Sequence, residues 1–218
     1  MDFTLKEMDS TTTQAPIPVT PEKQQEEVLF AYHENYTSDW YSELQDEEMT
    51  LYSYRGKEIK RAPKREYYIP DQEPPTYVWG QQIKNRPGGE EFTGLPMPDW
   101  MVMLKDKINM DFHVEVNHAI VIKYSDGVLH HAPPHKDKIP DGTDFFVLSF
   151  GTPRKFQLGT TIVGTPKTIR DIYWEEYLSS GSLLRVTSKA NKELFHAVPK
   201  DPNWHGKPRY SLIFRTIW

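Results

Sequence analysis

Cysteine is absent from this 218-residue sequence, which excludes disulfide scaffolds, thiolate zinc sites and cysteine nucleophiles. Long apolar runs are absent as well, since no stretch approaches the roughly 20 apolar residues of a membrane-spanning helix. The N-terminal MDFTLKEMDSTTTQ has neither the basic start nor the apolar core of a secretory signal. We therefore expect a soluble, intracellular protein of the cytoplasm or nucleus, neither secreted nor bound to a membrane, and a monomer by default.

The sequence also lacks an excess of positive charge. Its formal net charge is -5, which argues against a general nucleic-acid coating protein but leaves room for a local basic patch. One basic run spans residues 55–65 and contains Arg55, Lys57, Lys60, Arg61, Lys64 and Arg65. Taken alone, such a run is more often a solvated loop than a binding surface.

Two helices are predicted in the first half of the chain. TSDWYSELQDEE (37–48) carries a short apolar stripe that includes Leu44. PMPDWMVMLKDKINMDF (96–112) begins near Pro98. The apolar positions of the second helix follow helical spacing: Trp100, Met103, Leu104 and Ile108.

Short strands are predicted from about residue 113 onward. The 18 Pro and 12 Gly of the sequence punctuate the chain often, which favours short strands over long helices. The β-branched or aromatic segments are VEVNHAIVIKY, DFFVLSFG, RKFQLG, SLLRVT and RYSLIFRTIW. We expect a mainly β fold with flanking helices (α+β), in which two antiparallel sheets pack as a jelly roll, or double-stranded β-helix.

Three residues have the pattern of a metal site. His135 and Asp137 stand two positions apart in HKD, so an extended chain projects both side chains to one face. His196 follows in ELFHAVP, before the last strand. Two His and one carboxylate form the facial triad of non-haem iron(II). An HxD pair alone is more often a surface His beside a surface Asp, and His113 with Glu115 has the same spacing.

The last strand, RYSLIFR, carries two arginines on one face. Its alternation places Arg209, Ser211, Ile213 and Arg215 together. Two inward arginines need anions, and an arginine fork grips a carboxylate with two parallel hydrogen bonds. An edge strand with solvated arginines is the competing interpretation, and it explains either arginine singly better than both.

Several segments, in their order, resemble the AlkB family of Fe(II)- and 2-oxoglutarate-dependent nucleic-acid dealkylases. They are YVWG, FTGLPMPDW, IKYSDG, HKD, VLSFGTPRKFQL, SGSLLRV, FHAV and RYSLIFR, from about residue 77 to the C-terminus. The ordered set is specific, whereas no single segment is. The resemblance implies that Fe(II) and 2-oxoglutarate are the cofactors, that O2 is consumed, and that His135, Asp137 and His196 bind the iron.

The resemblance also implies a set of 2-oxoglutarate-binding residues. Arg209 matches the arginine that pairs with the distal carboxylate, Tyr124 matches the tyrosine whose hydroxyl supports it, and Arg215 matches the second arginine, nearer the metal. Ser211 completes the set. The family often has Asn at the positions of Ser211 and Ile122, so the contacts to the cosubstrate are partly altered.

Residues for an alkylated nucleic-acid substrate follow from the same resemblance. Trp79, in YVWG, is similar to the aromatic that stacks on a flipped base, with Tyr77 as a second candidate. A core aromatic is an equal alternative for Trp79. The basic run falls where the family has its nucleotide-recognition loops, so Arg61, Lys64 and Arg65 are candidate phosphate contacts.

One departure from the family concerns the residues after the metal carboxylate. Members that repair ring-nitrogen lesions carry an acidic residue directly after that Asp. Here Lys138-Ile139-Pro140 follows, and the next acid is Asp141. Either Asp141 turns into the site or the substrate differs. Members that act on exocyclic N-methyl groups also lack that acid, so such a substrate stays open.

These inferences divide the chain into three segments and assign it an activity. We expect a flexible polar segment (1–28), an extension with helices and substrate-recognition loops (29–112) and a catalytic jelly-roll core (113–218). The predicted activity is oxidative dealkylation of N-alkylated bases in DNA or RNA, with release of formaldehyde, succinate and CO2. The alternatives are an oxygenase that acts on a protein or small molecule, and a jelly-roll binding module without a metal.

Overall fold

The computed structural model describes residues 28–38, 41–45, 50–54, 57–69, 76–78, 91–93, 95–161 and 168–217. The helices within these ranges are α1 (Tyr41–Gln45), α2 (Asp99–Phe112) and α3 (Ser188–Glu193). The strands are β1 (Phe30–His33), β2 (Thr50–Tyr54), β3 (Lys57–Tyr68), β4 (Thr76–Val78), β5 (Glu91–Thr93), β6 (Leu95–Pro96), β7 (His118–Tyr124), β8 (Ala132–His135), β9 (Phe145–Gly151), β10 (Arg154–Thr161), β11 (Ile169–Leu178), β12 (Ser182–Val186), β13 (Phe195–Val198) and β14 (Arg209–Arg215). The mainly β composition with few helices is as predicted.

Two sheets contain most of the strands. The larger sheet has eight strands in the order β1-β12-β9-β14-β7-β3-β2, with β6 in parallel beside β3. The smaller sheet has four strands in the order β11-β10-β13-β8, and β4 pairs with β5 separately. From β7 to β14 the chain passes back and forth between the larger and the smaller sheet. Strands that are distant in sequence therefore become neighbours.

Each face of the larger sheet covers a hydrophobic core, because successive side chains of a strand point to opposite faces. The inner face packs against the smaller sheet, with Val147 and Leu184 meeting Phe156 and Leu158. The outer face packs against α2. The space between the two sheets is where a buried site can form.

Helix α2 ends where its backbone enters the left-handed region. It starts after Pro98, and it stops at His113, which has φ 53° and whose N–H donates to the carbonyl of Asn109. His113 is therefore a helix cap. Neither His113 nor Glu115 lies in a strand.

The buried stripe of α2 differs from the predicted one, because it includes Met101 and leaves Trp100 only half-buried. Met101, Leu104 and Ile108 are buried, whereas Met103 is 62% exposed. The three buried residues follow the i, i+3, i+7 spacing of one helix face. None of the helices that the structure describes is long and apolar enough to cross a membrane.

The five predicted strand segments correspond to β7, β9, β10, β12 and β14. The helix predicted over 37–48 is present as α1, in which Leu44 is fully buried. The basic run is the main correction, because residues 57–65 belong to strand β3 and not to a loop. Arg55 lies outside the described residues, as does most of the polar segment 1–28.

Candidate metal centre

Adjacent strands of the smaller sheet bring the three predicted ligands together. His135 ends β8, Asp137 follows two residues later, and His196 lies in β13. Strands β8 and β13 are antiparallel, and their register places His196 directly opposite His135. The ligand atoms of the three residues all lie within 4.8 Å of one another. This group can hold one metal ion.

The two oxygens of Asp137 face different partners. Oδ1 lies 3.7 Å from His135 Nε2 and 3.9 Å from His196 Nε2. Oδ2 lies 3.8 Å from Arg215 Nη1. Burial alone would raise the pKa of Asp137, but interactions with His196 and Arg215 hold that pKa below its usual value. Asp137 is thus a carboxylate with one oxygen aimed at the two imidazoles and the other at a guanidinium.

The protonation of both imidazoles suits metal binding. His135 Nδ1 lies 2.8 Å from the carbonyl of Pro133, and only a protonated Nδ1 can bond to that acceptor, which leaves Nε2 as the ligand atom. Burial and the charge of His135 lower the pKa of His196 to about 3. His196 is therefore neutral at pH 7, and it stacks on the ring of Phe156 at 5.7 Å.

Helix α3 fixes the backbone of the metal carboxylate. Asn191 accepts a hydrogen bond from the Asp137 N–H (2.9 Å) and donates one to the Asp137 carbonyl (2.8 Å). The ammonium of Lys136 donates to the carbonyl of Lys192 in the same helix. Asn191 was not predicted from the sequence, because a single Asn in a polar helix carries no signal of its own.

A pocket of about 410 Å³, including its open mouth, lies beside the three ligands. Its walls are mainly apolar. The lining residues are Ile122, Tyr124, Ala132, His135, Asp137, Phe145, Val147, Phe156, His196, Val198, Ser211 and Ile213. Three predicted 2-oxoglutarate positions are therefore close to the metal ligands: Tyr124 and Ser211 on the lining, and Arg215 through Asp137.

Arg209 is a buried cation with spare hydrogen-bonding capacity. It is 1% exposed, and its Nη2 donates to Ser149 Oγ at 2.9 Å. Among the described residues, Nε and Nη1 are buried without a hydrogen-bond partner. The guanidinium lies 5.3 Å from the ring of Tyr124, and burial lowers the pKa of Arg209 to about 10. Such a group can receive a carboxylate.

A second buried arginine, Arg154, closes the end of the molecule next to Arg209. Arg154 is fully buried. It donates to the carbonyls of Asp126, Gly127 and His130 in one loop and to the carbonyl of Pro199 in another. Its guanidinium also lies 5.8 Å from the ring of Tyr124. Arg154 was not predicted from the sequence as a site residue.

The predicted substrate residues are only partly described. Lys64 and Arg65 are half-buried in β3. Arg61 and Tyr77 lie in β3 and β4 with side chains outside the described set, and Trp79 lies outside the described residues altogether. Their contacts with a substrate stay predictions.

Asp141 is described, and it does not turn into the pocket. Its side chain is 89% exposed and pairs with Lys192 Nζ at 3.2 Å. Of the two possibilities left open by the sequence, a turn of Asp141 into the site is therefore not observed.

Comparison with known proteins gives only distant structural likenesses. No family model matches the chain, and no curated protein matches it. A solved structure described as "The structure of OsALKBH1" aligns with 19% identity and a TM-score of 0.43. The alignment covers 57% of this chain and 66% of that one. A similarity this low does not assign a function, so the function is inferred from the residues of the site.

Proposed function

We propose that this chain is an Fe(II)- and 2-oxoglutarate-dependent oxygenase that removes alkyl groups from nitrogen atoms of DNA or RNA bases. One observation carries the proposal. Two histidines and a carboxylate meet beside a largely apolar pocket, and a buried arginine beside the pocket residue Tyr124 has two nitrogens without a hydrogen-bond partner.

The winding of the chain supports a jelly-roll core. Strands β12, β9, β14 and β7 are consecutive in the larger sheet, and β11, β10, β13 and β8 form the smaller one. The chain changes sheet at every connection from β7 to β14 except the one between β10 and β11, which is the winding expected of a double-stranded β-helix. In our proposal β7–β14 form that core, and β8 and β13 hold the metal ligands.

The donor set fits iron(II). Two imidazoles and one carboxylate are the ligands of non-haem iron oxygenases, in which they leave positions open for other ligands. His135 would bind through Nε2, because its Nδ1 is engaged with Pro133. Asp137 would bind through Oδ1, the oxygen nearer the two imidazoles.

The environment of Arg209 fits the distal carboxylate of 2-oxoglutarate. A buried guanidinium without partners for Nε and Nη1 is costly, and a carboxylate would satisfy both nitrogens. Tyr124 lies against the same guanidinium. Ile122 and Ser211 line the pocket where the family often has amides, so fewer polar contacts are left for the cosubstrate.

The chain itself supplies binding, orientation and exclusion of water. When bound, iron(II) with 2-oxoglutarate and O2 supplies the oxidising power that hydroxylates an N-alkyl group. Phe145, Val147 and Phe156 keep the pocket wall dry, which strengthens every charged interaction inside it. Arg215 holds the second oxygen of Asp137, and Asn191 holds its backbone.

The proposal also assigns residues that would contact the nucleic-acid substrate. Lys64 and Arg65 lie on a strand next to β7 and point to opposite faces of it. Lys64, whose charge acts on Asp137, is on the side of the metal ligands and would meet a phosphate there, while Arg65 stays a second candidate. Asp141 points outward, which supports an exocyclic N-methyl group over a ring-nitrogen lesion. We keep Trp79 and Tyr77 as the aromatic candidates and Arg61 as a third cation.

A second candidate function keeps the oxygenase chemistry and changes the substrate to a protein or small molecule. The net charge of -5 and the outward position of Asp141 favour it. The basic stretch of β3 disfavours it.

The test is succinate release in the presence of iron(II), ascorbate and 2-oxoglutarate, across a panel of methylated DNA and RNA oligonucleotides. Each oligonucleotide is weighed by mass spectrometry, and His135→Ala is the control. Succinate together with demethylation, both absent in the variant, is the expected result. Succinate without any change in the oligonucleotides would favour the second candidate. If no succinate is released and no iron is bound, the oxygenase proposal is overturned.

A further inference from the structure

A chain of buried polar side chains leads away from the metal ligands into the larger sheet. Arg215 Nε donates to His118 Nδ1 at 3.1 Å, and His118 Nε2 lies 3.2 Å from Glu66 Oε2. The hydroxyl of Tyr68 donates to the same Glu66 oxygen at 3.3 Å. These residues stand on three adjacent strands, β14, β7 and β3, and all are less than 9% exposed.

The hydrogen-bond direction along this chain is fixed by chemistry. Arginine only donates, so His118 Nδ1 has to accept. The ring proton then lies on Nε2 and is donated to Glu66. A protonated His118 would turn a second donor toward Arg215 and lose that contact. Burial, with the nearby charge of Arg215, lowers the pKa of His118, although the Glu66 contact works in the opposite direction.

The charges along the chain are balanced around Arg215. Burial would raise the pKa of Glu66, but His118, Lys64 and Arg215 keep that pKa below its usual value. Glu66 is therefore a buried carboxylate at pH 7. Arg215 lies between this carboxylate, reached through His118, and the carboxylate of Asp137. Removing one member would leave another buried charge poorly compensated.

The end of this hydrogen-bond chain nearest the metal ligands faces one oxygen of Asp137. Arg215 Nη1 lies 3.8 Å from Oδ2, whereas Oδ1 faces the two imidazoles. A guanidinium held at Oδ2 leaves a single oxygen for a metal ion. A guanidinium that can move would leave both oxygens available.

We propose that Glu66 and His118 are positioning residues of the metal centre: they hold the Arg215 guanidinium in place, so that Asp137 offers one oxygen to the metal. This inference rests on the proposed function only insofar as the centre binds a divalent metal. It assigns a role to strand β3, which lies outside the two ligand-bearing strands.

The experiment measures cobalt(II) binding to the full-length protein by calorimetry, together with the visible d–d spectrum of the bound ion. Partners of this kind typically change metal affinity about 10- to 100-fold. We expect His118→Leu to raise the cobalt dissociation constant about 10-fold or more and to change the intensity of the d–d bands. His118→Asn keeps an acceptor near the position of Nδ1, and it should recover most of the affinity. Glu66→Gln should fall between His118→Leu and the wild type.

A matched control separates positioning from stability. Val121 lies in the same strand as His118 and is fully buried, but it faces the opposite core. Val121→Ala should lower thermal stability without changing the cobalt spectrum or affinity. If the His118 and Glu66 variants bind cobalt as the wild type does, the positioning role is overturned. The same holds if Val121→Ala weakens binding as much as His118→Leu does. If the wild type binds no cobalt, the metal site itself is overturned, and the positioning role with it.

Discussion

His196 is 5% exposed and has a pKa of about 3, whereas a histidine in the unfolded chain titrates near 6.5. Between these two values the unfolded state binds a proton that the folded state does not. The free energy of unfolding therefore falls as the pH drops through this window.

We predict that the metal-free protein loses stability from about pH 6.5 toward pH 3, by up to about 1.4 kcal/mol per pH unit from this residue. Denaturant unfolding at a series of pH values measures the slope. His196→Gln removes the titrating group, so its slope over the same window should be shallower. Equal slopes for the two proteins would contradict the assignment.

Arg209 leads to a prediction about ligand binding. A charge-assisted hydrogen bond is worth about 1.5–3 kcal/mol, so Arg209→Met should raise the dissociation constant for 2-oxoglutarate by about 10- to 100-fold in the cobalt-loaded protein. Arg209→Lys keeps the charge without the fork and should fall between Arg209→Met and the wild type. Calorimetry gives the constants. If Arg209→Met binds 2-oxoglutarate as tightly as the wild type does, Arg209 does not contact the cosubstrate.

Sequence patterns reach some of these residues and not others. His135, Asp137 and His196 were predicted because the HxD spacing, a later His and the two arginines of the last strand occur together in the order of the AlkB-like segments. His118, Glu66 and Asn191 cannot, because each is an ordinary residue in its local sequence. Their roles come from contacts between strands or helices that are far apart in the chain.

Helix α3 has only six residues, yet two side chains hold its N-terminal end. Thr187 caps it by accepting from the Ala190 N–H, and Asp144 accepts from the Ser188 N–H. Its Asn191 reaches the metal-ligand segment. A helix of this size is stable only through such contacts, so α3 serves mainly as a support for Asp137.

We predict that Asn191→Ala lowers the free energy of unfolding by about 2 kcal/mol, from the loss of two hydrogen bonds, and weakens cobalt(II) binding about 10-fold. Chemical denaturation and calorimetry measure the two effects. Glu193→Ala, on an exposed position of the same helix, is the control and should change neither. A loss of stability without any loss of affinity would limit Asn191 to a structural role.

The strands differ in how far the sequence predicts them. β9 and β14 are short and rich in β-branched or aromatic residues, and this composition identifies them. β11 was not predicted, because most of its side chains are exposed and its sequence has no apolar alternation. The basic run was interpreted as a loop, because a run of charged residues gives no sequence signal for the pairing of β3 with β7.

At the scale of the whole molecule, two loops meet at one end of the sheets. Arg154 binds carbonyls of both, and the Asp201 N–H donates to the Gly127 carbonyl at 2.8 Å. A Cβ at Gly127 would lie 2.0 Å from the Asp201 carbonyl oxygen. Only glycine fits this crossing.

We predict that Gly127→Ala lowers the free energy of unfolding by about 3 kcal/mol or more, because backbone has to move. Gly142→Ala is the comparison. Gly142 has φ +82° but open space around it, so alanine there should cost only about 1 kcal/mol. Thermal or chemical denaturation measures both. Similar losses of unfolding free energy for the two variants would show that the backbone at the Gly127–Asp201 contact moves at little cost, and would contradict the prediction.

The pairing of β3 with β7 has a consequence for how the chain acquires its structure. A fragment that begins at residue 113 would keep all three metal ligands and lose β3. The hydrogen-bonding edge of β7 would then face solvent, and His118 would have no acceptor for its ring proton. We therefore expect such a fragment to aggregate or remain unfolded. In the full chain, residues before and after position 113 should gain protection from hydrogen exchange in a single cooperative folding step.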